Sequence, residues 1–146
     1  TADMTASSIS AAVMSAVGDA DALVSAAAIG DYTVDAAEGK IPSGREDLTL
    51  SLRPTQKLID AVRAEHPDLP IVGFKLETGD DDGALVAEAR RVMERVDLSF
   101  VVANDASVMG AEETRVVFVD GGAERVFEGS KGKLGLQVAA ELADAI

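Results

Sequence analysis

The stretch IVGFKLETGDDDGALVAEARRVMERVDLSFVVAND, residues 71–105, decides the fold. It opens and closes with apolar runs, 71–76 and 98–103, which have the length of buried strands. The run 81–96 between them has one apolar face, which predicts an amphipathic helix. That face carries Leu85, Ala89, Val92 and Val96. A strand, a helix and a second strand in this order predict parallel strands joined by a crossover helix.

The flanking sequence continues this alternation of strand and helix signals. Upstream, the predicted elements are a helix over 5–17, a strand over 21–28, a strand over 48–52 and a helix with Thr55 as its N-cap. Residues 29–47 have little periodicity and predict a long loop. Downstream, the elements are hairpin strands over 114–120 and 124–128 and a last helix capped by Ser130. The pattern predicts one α/β domain over residues 1–146, a Rossmann-like three-layer domain with a mostly parallel sheet and a C-terminal β-hairpin.

Composition narrows the class of protein. With 146 residues and 47% hydrophobic residues, the chain can build a core and is not expected to be disordered. The absence of cysteine excludes disulfides, thiolate metal sites and a cysteine nucleophile. No apolar run approaches the roughly 20 residues that span a bilayer, so no membrane partner is expected, and a cytoplasmic protein fits best. A net charge of −13 makes nucleic acid an unfavourable partner, because phosphate repels such a surface.

The acidic balance also leads to a hypothesis about the source. Proteins of halophiles carry high net charge, and the self-repulsion is screened at high salt, so we interpret −13 as a sign of a high-salt source. The alternative is an ordinary acidic protein. If the hypothesis holds, the melting temperature should rise between about 0.1 M and about 1 M KCl, as the Debye length falls from ~10 to ~3 Å. Thermal unfolding followed by circular dichroism measures this, and an unchanged melting temperature would refute the halophile interpretation.

The ends of the predicted strands carry residues suited to ligand binding. Parallel sheets bind ligands at the carboxyl ends of their strands, so the segments after Ala28, Leu76 and Ala103 are the places to search. Asp31 follows the first of these strands, whose small residues 25–28 let a ligand approach the backbone. Its carboxylate can accept a hydrogen bond from an exocyclic amino group, such as that of cytosine or adenine. The alternative is an aspartate that forms a turn after a strand.

Two candidates carry positive charge. Lys40, in the long loop, can neutralise charge that develops on phosphate during nucleotidyl transfer, although most such lysines are solvated surface residues. Residues 55–59 start a helix directly after a strand, and the free N–H groups of a helix start bind anions. Lys57 adds positive charge there, and the alternative is a plain N-cap.

Two further candidates are uncharged. Phe74 follows Gly73 inside a buried strand and can cover a base or ribose, or it can simply pack in the core. Asn104 follows an apolar strand and can bind sugar hydroxyls, a metal or phosphate-bound water, or it can form an Asx turn. The sequence has no P-loop and no Rossmann glycine fingerprint. It also has no zinc-binding spacing, and it does not identify the ligands of any other metal.

In this order and at these intervals, the segments resemble one family, the phosphopantothenate–cysteine ligases. The matching segments are residues 26–32, 38–41, 48–50 with 55–59, 72–74 with 77–78, 102–105 and 130–131. They cover almost the whole chain, and Lys75 after the Gly-Phe pair is similar to archaeal members. The resemblance implies that residues 1–146 are the C-terminal portion of the ligase domain, without that domain's first nucleotide-fold units.

The resemblance also implies a reaction in coenzyme A biosynthesis. The carboxylate of phosphopantothenate attacks the α-phosphate of CTP, or of ATP in some members, and pyrophosphate leaves. The amino group of cysteine then displaces the nucleotide from the acyl-cytidylate. Mg²⁺ accompanies the triphosphate, and FMN is expected only if a decarboxylase domain precedes. A homodimer is expected, because the family's active site uses both subunits.

The same resemblance assigns roles to individual residues. Lys40 is implied to be the catalytic residue, which stabilises charge on the α-phosphate. Asp31 is implied to contact the base, Phe74 the nucleotide and Asn104 the substrate. The other nucleotide-binding residues implied are Ser25, Ala26, Ala27, Gln56, Lys57, Leu58 and Ile59.

The chain departs from the family pattern in three places. In the loop, residues 42–45 replace the family's repeated lysines, and Arg45 is the available cation. The helix 81–96 lacks the family's phosphate-binding lysines, and the available cations there are Arg90, Arg91 and Arg95. Arg91 and Arg95 are assigned to the nucleotide, although arginine is not a simple replacement for lysine. The opening glycine-rich segment and the asparagine-containing dimer segment have no counterpart. Two alternatives therefore remain: a non-catalytic nucleotide-binding or dimerisation module, and a different α/β enzyme such as a nucleotide-sugar or flavin-binding domain.

Overall fold

The computed structural model describes residues 5–35, 39–41, 43–44, 47–78, 81–105 and 112–146. In chain order the elements are α1 (Ala6–Val17), β1 (Leu23–Ser25), β2 (Tyr32–Val34), β3 (Leu52–Pro54), α2 (Leu58–Glu65), β4 (Ile71–Glu77), α3 (Asp82–Val96), β5 (Phe100–Asp105), β6 (Glu113–Val119), β7 (Glu124–Ser130) and α4 (Lys131–Ala145). None of the helices in these ranges is long and apolar enough to cross a membrane.

The main sheet has five strands in the order β1-β4-β5-β6-β7. Strands β1, β4 and β5 are parallel, and β6 and β7 form the antiparallel hairpin predicted from the sequence. Ser25 pairs with Gly73, which in turn pairs with Val101. This register aligns the carboxyl ends of the three parallel strands at one edge of the sheet, where ligands bind in such folds.

Apolar side chains cover both faces of the sheet and define three layers. Helices α1, α2 and α3 pack on the first face, where Val62, Ile71 and Val101 are fully buried. Helix α4 packs on the second face, where Leu134 and Phe118 belong to one buried cluster. Successive strand residues point to opposite faces, so each buried strand supplies both cores. The Rossmann-like three-layer prediction is confirmed.

The helix ends follow local capping chemistry. Thr5 and Ser8 form a reciprocal capping box at the start of α1, and the Ser130 hydroxyl accepts from the Lys133 N–H at the start of α4. At the C-terminal end of α3, the Arg63 guanidinium donates to the carbonyl oxygens of Val96 and Asp97 at 3.0 and 2.7 Å. Arg63 thereby satisfies terminal carbonyl groups and ties α2 to α3.

Three predictions upstream of β4 are wrong. The segment 29–47, predicted to be a loop, contains strand β2. The strand predicted over 48–52 is instead Leu52–Pro54, and it pairs antiparallel with Tyr32–Val34 in a separate two-stranded ribbon. The prediction assumed that the alternating leucines face a core. Leu48, Leu50 and Leu52 are instead all more than half exposed. Thr55 is not the N-cap of α2, since Lys57 holds that position and makes no side-chain capping hydrogen bond.

Candidate functional site

A cavity of about 170 Å³ lies where β1 and β4 end, between the loop after β1 and the start of α2. We call it the strand-end pocket. It is lined by Ser25, Ala27, Ile29, Gly30, Asp31, Thr55, Gln56, Lys57, Leu58, Ile59, Gly73, Phe74, Val92 and Val101. Its position matches the ligand site expected for parallel α/β sheets.

Small residues in the two strands make room for the pocket. Ser25 and Gly73 are register partners, and both line it. A Cβ atom at Gly73 would lie 2.8 Å from Cδ1 of Leu98, closer than two carbon atoms tolerate. Glycine therefore allows the Leu98 side chain and the strand backbone to approach closely, and it leaves the pocket open above β4.

A carboxylate and an ammonium group face each other in the pocket. The Lys57 ammonium donates a hydrogen bond to Oδ1 of Asp31. The two segments are also joined through the backbone, because the Thr55 N–H donates to the Asp31 carbonyl oxygen at 2.8 Å. The hydrogen bond and charge of Lys57 lower the pKa of Asp31, and the charge of Lys75 acts in the same direction. Asp31 is therefore an ionised acceptor at neutral pH.

The start of α2 supplies the second polar wall. Leu58 and Ile59, the first residues of the helix, line the pocket together with Lys57. The first N–H groups of a helix have no partner inside it, and the helix dipole places positive potential there. The acidic residue in this first turn, Asp60, is bound by Arg95 at 2.7 and 2.6 Å. The helix start can therefore hold a phosphate group.

A row of ion pairs joins the end of β4 to the middle of α3. The Lys75 ammonium lies 2.6 Å from Oε1 of Glu77 and 3.7 Å from Oε1 of Glu88. Arg91 donates to both carboxylate oxygens of Glu88, at 2.7 and 2.6 Å. The hydrogen bond from Arg91 is the largest cause that lowers the pKa of Glu88 to about 2, and the charges of Arg91 and Lys75 add to it.

The structure brings most of the predicted nucleotide-binding residues together. The strand-end pocket contains Ser25, Ala27, Asp31, Gln56, Lys57, Leu58, Ile59 and Phe74. They come from segments far apart in the sequence, and the parallel register of β1 and β4 together with the start of α2 joins them.

The remaining predicted residues lie elsewhere. Ala26 and Asn104 line a second cavity, on the opposite face of the sheet, because alternate strand residues point to opposite sides. Arg91 and Arg95 lie on α3 and do not line the strand-end pocket. They form ion pairs with Glu88 and Asp60, respectively.

The loop candidate is not among the pocket residues. Lys40 is exposed and does not line the strand-end pocket. Its neighbour Glu38 and the substitute cation Arg45 lie outside the described residues.

The second cavity is an apolar groove of about 530 Å³ between the β1–β4 face and α4. Val24, Phe74, Val138 and Leu142 are among the apolar residues that line it. Phe74 lines both the strand-end pocket and this groove. The role predicted for Phe74, contact with a nucleotide, is compatible with this position and stays a prediction.

Sequence reasoning missed several features of the site. Ile29, Gly30, Val92 and Val101 line the pocket but carry no chemical signal of their own. The Asp31–Lys57 ion pair spans 26 positions, a separation at which sequence patterns give no pairing information. Lys75 could have been found, since strand alternation places it on the same face as Gly73, two residues along β4.

The described residues do not fit a resident magnesium site. Within the described ranges, no group of three or more His, Asp or Glu side chains is arranged to hold a metal ion. The carboxylate in the strand-end pocket is already paired with Lys57. Any magnesium in this pocket would have to arrive with a phosphate ligand.

Together, these features define a Rossmann-like α/β domain with a pocket at the carboxyl ends of its parallel strands, where the start of a helix and a carboxylate line the same cavity. Residues 2–146 match the family described as the DNA/pantothenate metabolism flavoprotein C-terminal domain, and the chain belongs to this family. The family resemblance predicted from the sequence segments is thereby confirmed.

Known relatives agree with this assignment. The chain is 44% identical over 100 residues to the coenzyme A biosynthesis bifunctional protein CoaBC of Thermococcus kodakarensis, covering 68% of this chain and 25% of that protein. It is 37% identical over 89 residues to the protein of the same name from Methanocaldococcus jannaschii, covering 61% of this chain and 22% of that protein. Both relatives are archaeal, as the Gly-Phe-Lys segment predicted. The chain thus spans about a quarter of the length of these relatives.

The fold also matches a solved structure. The DNA/pantothenate metabolism flavoprotein from Streptococcus pneumoniae superposes with a TM-score of 0.81 and 22% sequence identity, covering 97% of this chain and 71% of that one. At this level of identity the match supports the fold.

Proposed function

We propose that this domain binds CTP in the strand-end pocket and takes part in the ligation of cysteine to phosphopantothenate in coenzyme A biosynthesis. One observation carries the proposal: the Asp31 carboxylate and the start of α2 face the same pocket. In this proposal the Asp31 carboxylate accepts a hydrogen bond from the amino group of the base, and the start of α2 binds phosphate. The relatives named coenzyme A biosynthesis bifunctional proteins support the pathway.

The proposed reaction has two balanced steps. A carboxylate oxygen of phosphopantothenate attacks the α-phosphorus of CTP, and the bond to the bridging oxygen of the β-phosphate breaks. Pyrophosphate leaves, and an acyl-cytidylate remains. The cysteine amino nitrogen then attacks the acyl carbon, the bond from that carbon to the phosphate oxygen breaks, and CMP leaves as the nitrogen loses a proton. Activation is needed because a free carboxylate is a poor electrophile.

In this proposal each wall of the pocket has one task. Asp31 accepts from the amino group of cytosine, while the N–H groups at residues 57–59 and the Lys57 ammonium bind phosphate oxygens. Gln56 also lines the pocket and would contact the nucleotide. Ser25 and Ala27 leave space for the nucleotide, and Phe74 covers one side of it. ATP also carries an exocyclic amino group and is the alternative nucleotide.

Other parts of the active site are proposed from the family alone. Lys40 would reach the α-phosphate from its loop, and Asn104 would contact phosphopantothenate from the end of β5. We also propose a cytoplasmic homodimer, magnesium carried by the triphosphate, and FMN only in a preceding decarboxylase domain.

A second candidate is a nucleotide-binding or dimerisation module without catalysis. The placement of Lys40, Arg91 and Arg95 outside the strand-end pocket favours it. Ligase activity of the enzyme as the cell makes it, and its loss on substitution of pocket residues, would separate the two candidates.

Replacing Asp31 with alanine tests the proposed base contact. Wild-type protein with magnesium should be stabilised more by CTP than by UTP, because UTP lacks the exocyclic amino group and a ligand that binds only the folded state raises its stability. Asp31→Ala should weaken CTP binding by about 10- to 100-fold, as expected for a lost hydrogen bond to a charged group. Thermal unfolding at high salt with CTP, UTP, ATP or GTP in turn measures both effects.

Asp35→Ala is the matched control. Asp35 follows β2, pairs with Arg53 and does not line the strand-end pocket. It should leave the CTP effect unchanged. Equal stabilisation of the wild type and Asp31→Ala by CTP would remove Asp31 from base recognition, and no effect of any nucleotide would contradict a base site within these residues.

A further inference from the structure

Asp31 and Lys57 serve the two ends of the proposed ligand, yet they are paired with each other. Both line the strand-end pocket, and the Lys57 ammonium donates to the Asp31 carboxylate. Their backbones are held together by the hydrogen bond from the Thr55 N–H to the Asp31 carbonyl oxygen, at 2.8 Å. The base acceptor and the phosphate-binding cation are therefore close neighbours in one small cavity.

A nucleotide with an amino group competes with this ion pair at both ends. The amino group must share or take the Asp31 carboxylate, which weakens its contact with Lys57. A phosphate that accepts from Lys57 weakens the same contact from the other side. Whichever contact forms first has already opened the ion pair, so the second contact forms without that cost. Two binding events that draw on one internal contact are thermodynamically linked, and the linkage is reciprocal.

We propose that the Asp31–Lys57 ion pair couples base recognition to phosphate binding, and that Lys57 is a specificity-determining residue. The inference rests on the proposed function, because it requires an amino-bearing nucleotide in the strand-end pocket. A nucleotide without an exocyclic amino group leaves Lys57 paired with Asp31, and it loses phosphate affinity as well as the base contact. Discrimination then exceeds what the single hydrogen bond to Asp31 gives.

The exposure of the pair bounds the size of the coupling. The Lys57 and Asp31 side chains are 54% and 63% exposed, so water and salt screen their attraction. Exposed ion pairs contribute little, and the coupling is expected to be about two- to fivefold in affinity. The backbone hydrogen bond between the two segments keeps the groups near each other when the pair opens.

Tripolyphosphate isolates the phosphate half of the coupling, because it carries no base. Isothermal titration calorimetry of the chain with magnesium tripolyphosphate at fixed ionic strength would compare the wild type, Asp31→Asn, Lys57→Gln and the double variant. Asp31→Asn should raise the affinity about two- to fivefold, because Lys57 is released. Lys57→Gln should lower the affinity, and in that background Asp31→Asn should bring no gain.

A control variant distinguishes coupling through the Asp31–Lys57 ion pair from a long-range effect of removing negative charge. Asp35→Asn also removes a paired carboxylate, next to β2 and outside the strand-end pocket, and should change the affinity by less than about twofold. An equal gain from Asp31→Asn with and without Lys57 would show a long-range charge effect and overturn the coupling, while the proposed function stands. A wild type that binds neither tripolyphosphate nor CTP would overturn both.

Discussion

Replacing Ile71 with alanine is expected to lower the free energy of unfolding by about 2–5 kcal/mol. Ile71 begins β4, an interior strand of the sheet, is fully buried and packs in the core between the sheet and helices α1 to α3. Its carbonyl oxygen also accepts from the Ser99 N–H at 2.9 Å, which joins β4 to the start of β5. Alanine removes apolar contacts and leaves a cavity that this rigid layer cannot fill. Such a loss is a large part of the stability of a typical domain.

Urea unfolding of matched variants measures this effect. Ile71→Val, which removes one methylene group, should cost about 0.5–1.5 kcal/mol. Leu136→Ala, at a position on α4 that is 74% exposed, should change the free energy by less than about 0.5 kcal/mol. If Ile71→Ala were as mild as Leu136→Ala, the first-face core would not be packed as described.

The elements that sequence analysis predicted are those with strong local signals. The β4–α3–β5 unit and the C-terminal hairpin combine regular periodicity with clear ends, and their observed bounds agree with the prediction within a few residues. The ribbon of β2 and β3 could not be predicted in the same way. Its residues are exposed, so the apolar alternation at 48–52 does not report burial, and only the pairing of two distant segments defines it.

The site was predictable to the extent that fold topology places it. Parallel strands predict a ligand edge, and Asp31 and the start of α2 lie there. The partners of charged residues were not predictable, because an ion pair depends on how helices and strands are packed. Arg91 and Arg95 illustrate this point, since both were assigned to phosphate for lack of lysines, and their carboxylate partners Glu88 and Asp60 could not be read from the sequence.

Replacing Lys40 with alanine is expected to slow formation of the acyl-cytidylate by about 100- to 1,000-fold, the usual effect of removing one group that stabilises transition-state charge. CTP affinity should change far less, because Lys40 does not line the strand-end pocket where the base and the helix start meet. The role assigned to Lys40 requires its ammonium group to approach the α-phosphate as negative charge develops. Single-turnover release of pyrophosphate, measured on the enzyme as the cell makes it, reports this step directly.

The pattern of effects, and not the loss of activity alone, identifies the role of Lys40. Lys133→Ala removes an exposed lysine from the first turn of α4 and should leave both the rate and CTP affinity unchanged. A group that stabilises only the transition state lowers the rate and spares the ground-state affinity, whereas a binding group changes both. An unchanged rate in Lys40→Ala would exclude Lys40 from catalysis. The positive charge at the α-phosphate would then have to come from elsewhere, and Lys57 at the start of α2 would be the first lysine of the strand-end pocket to test.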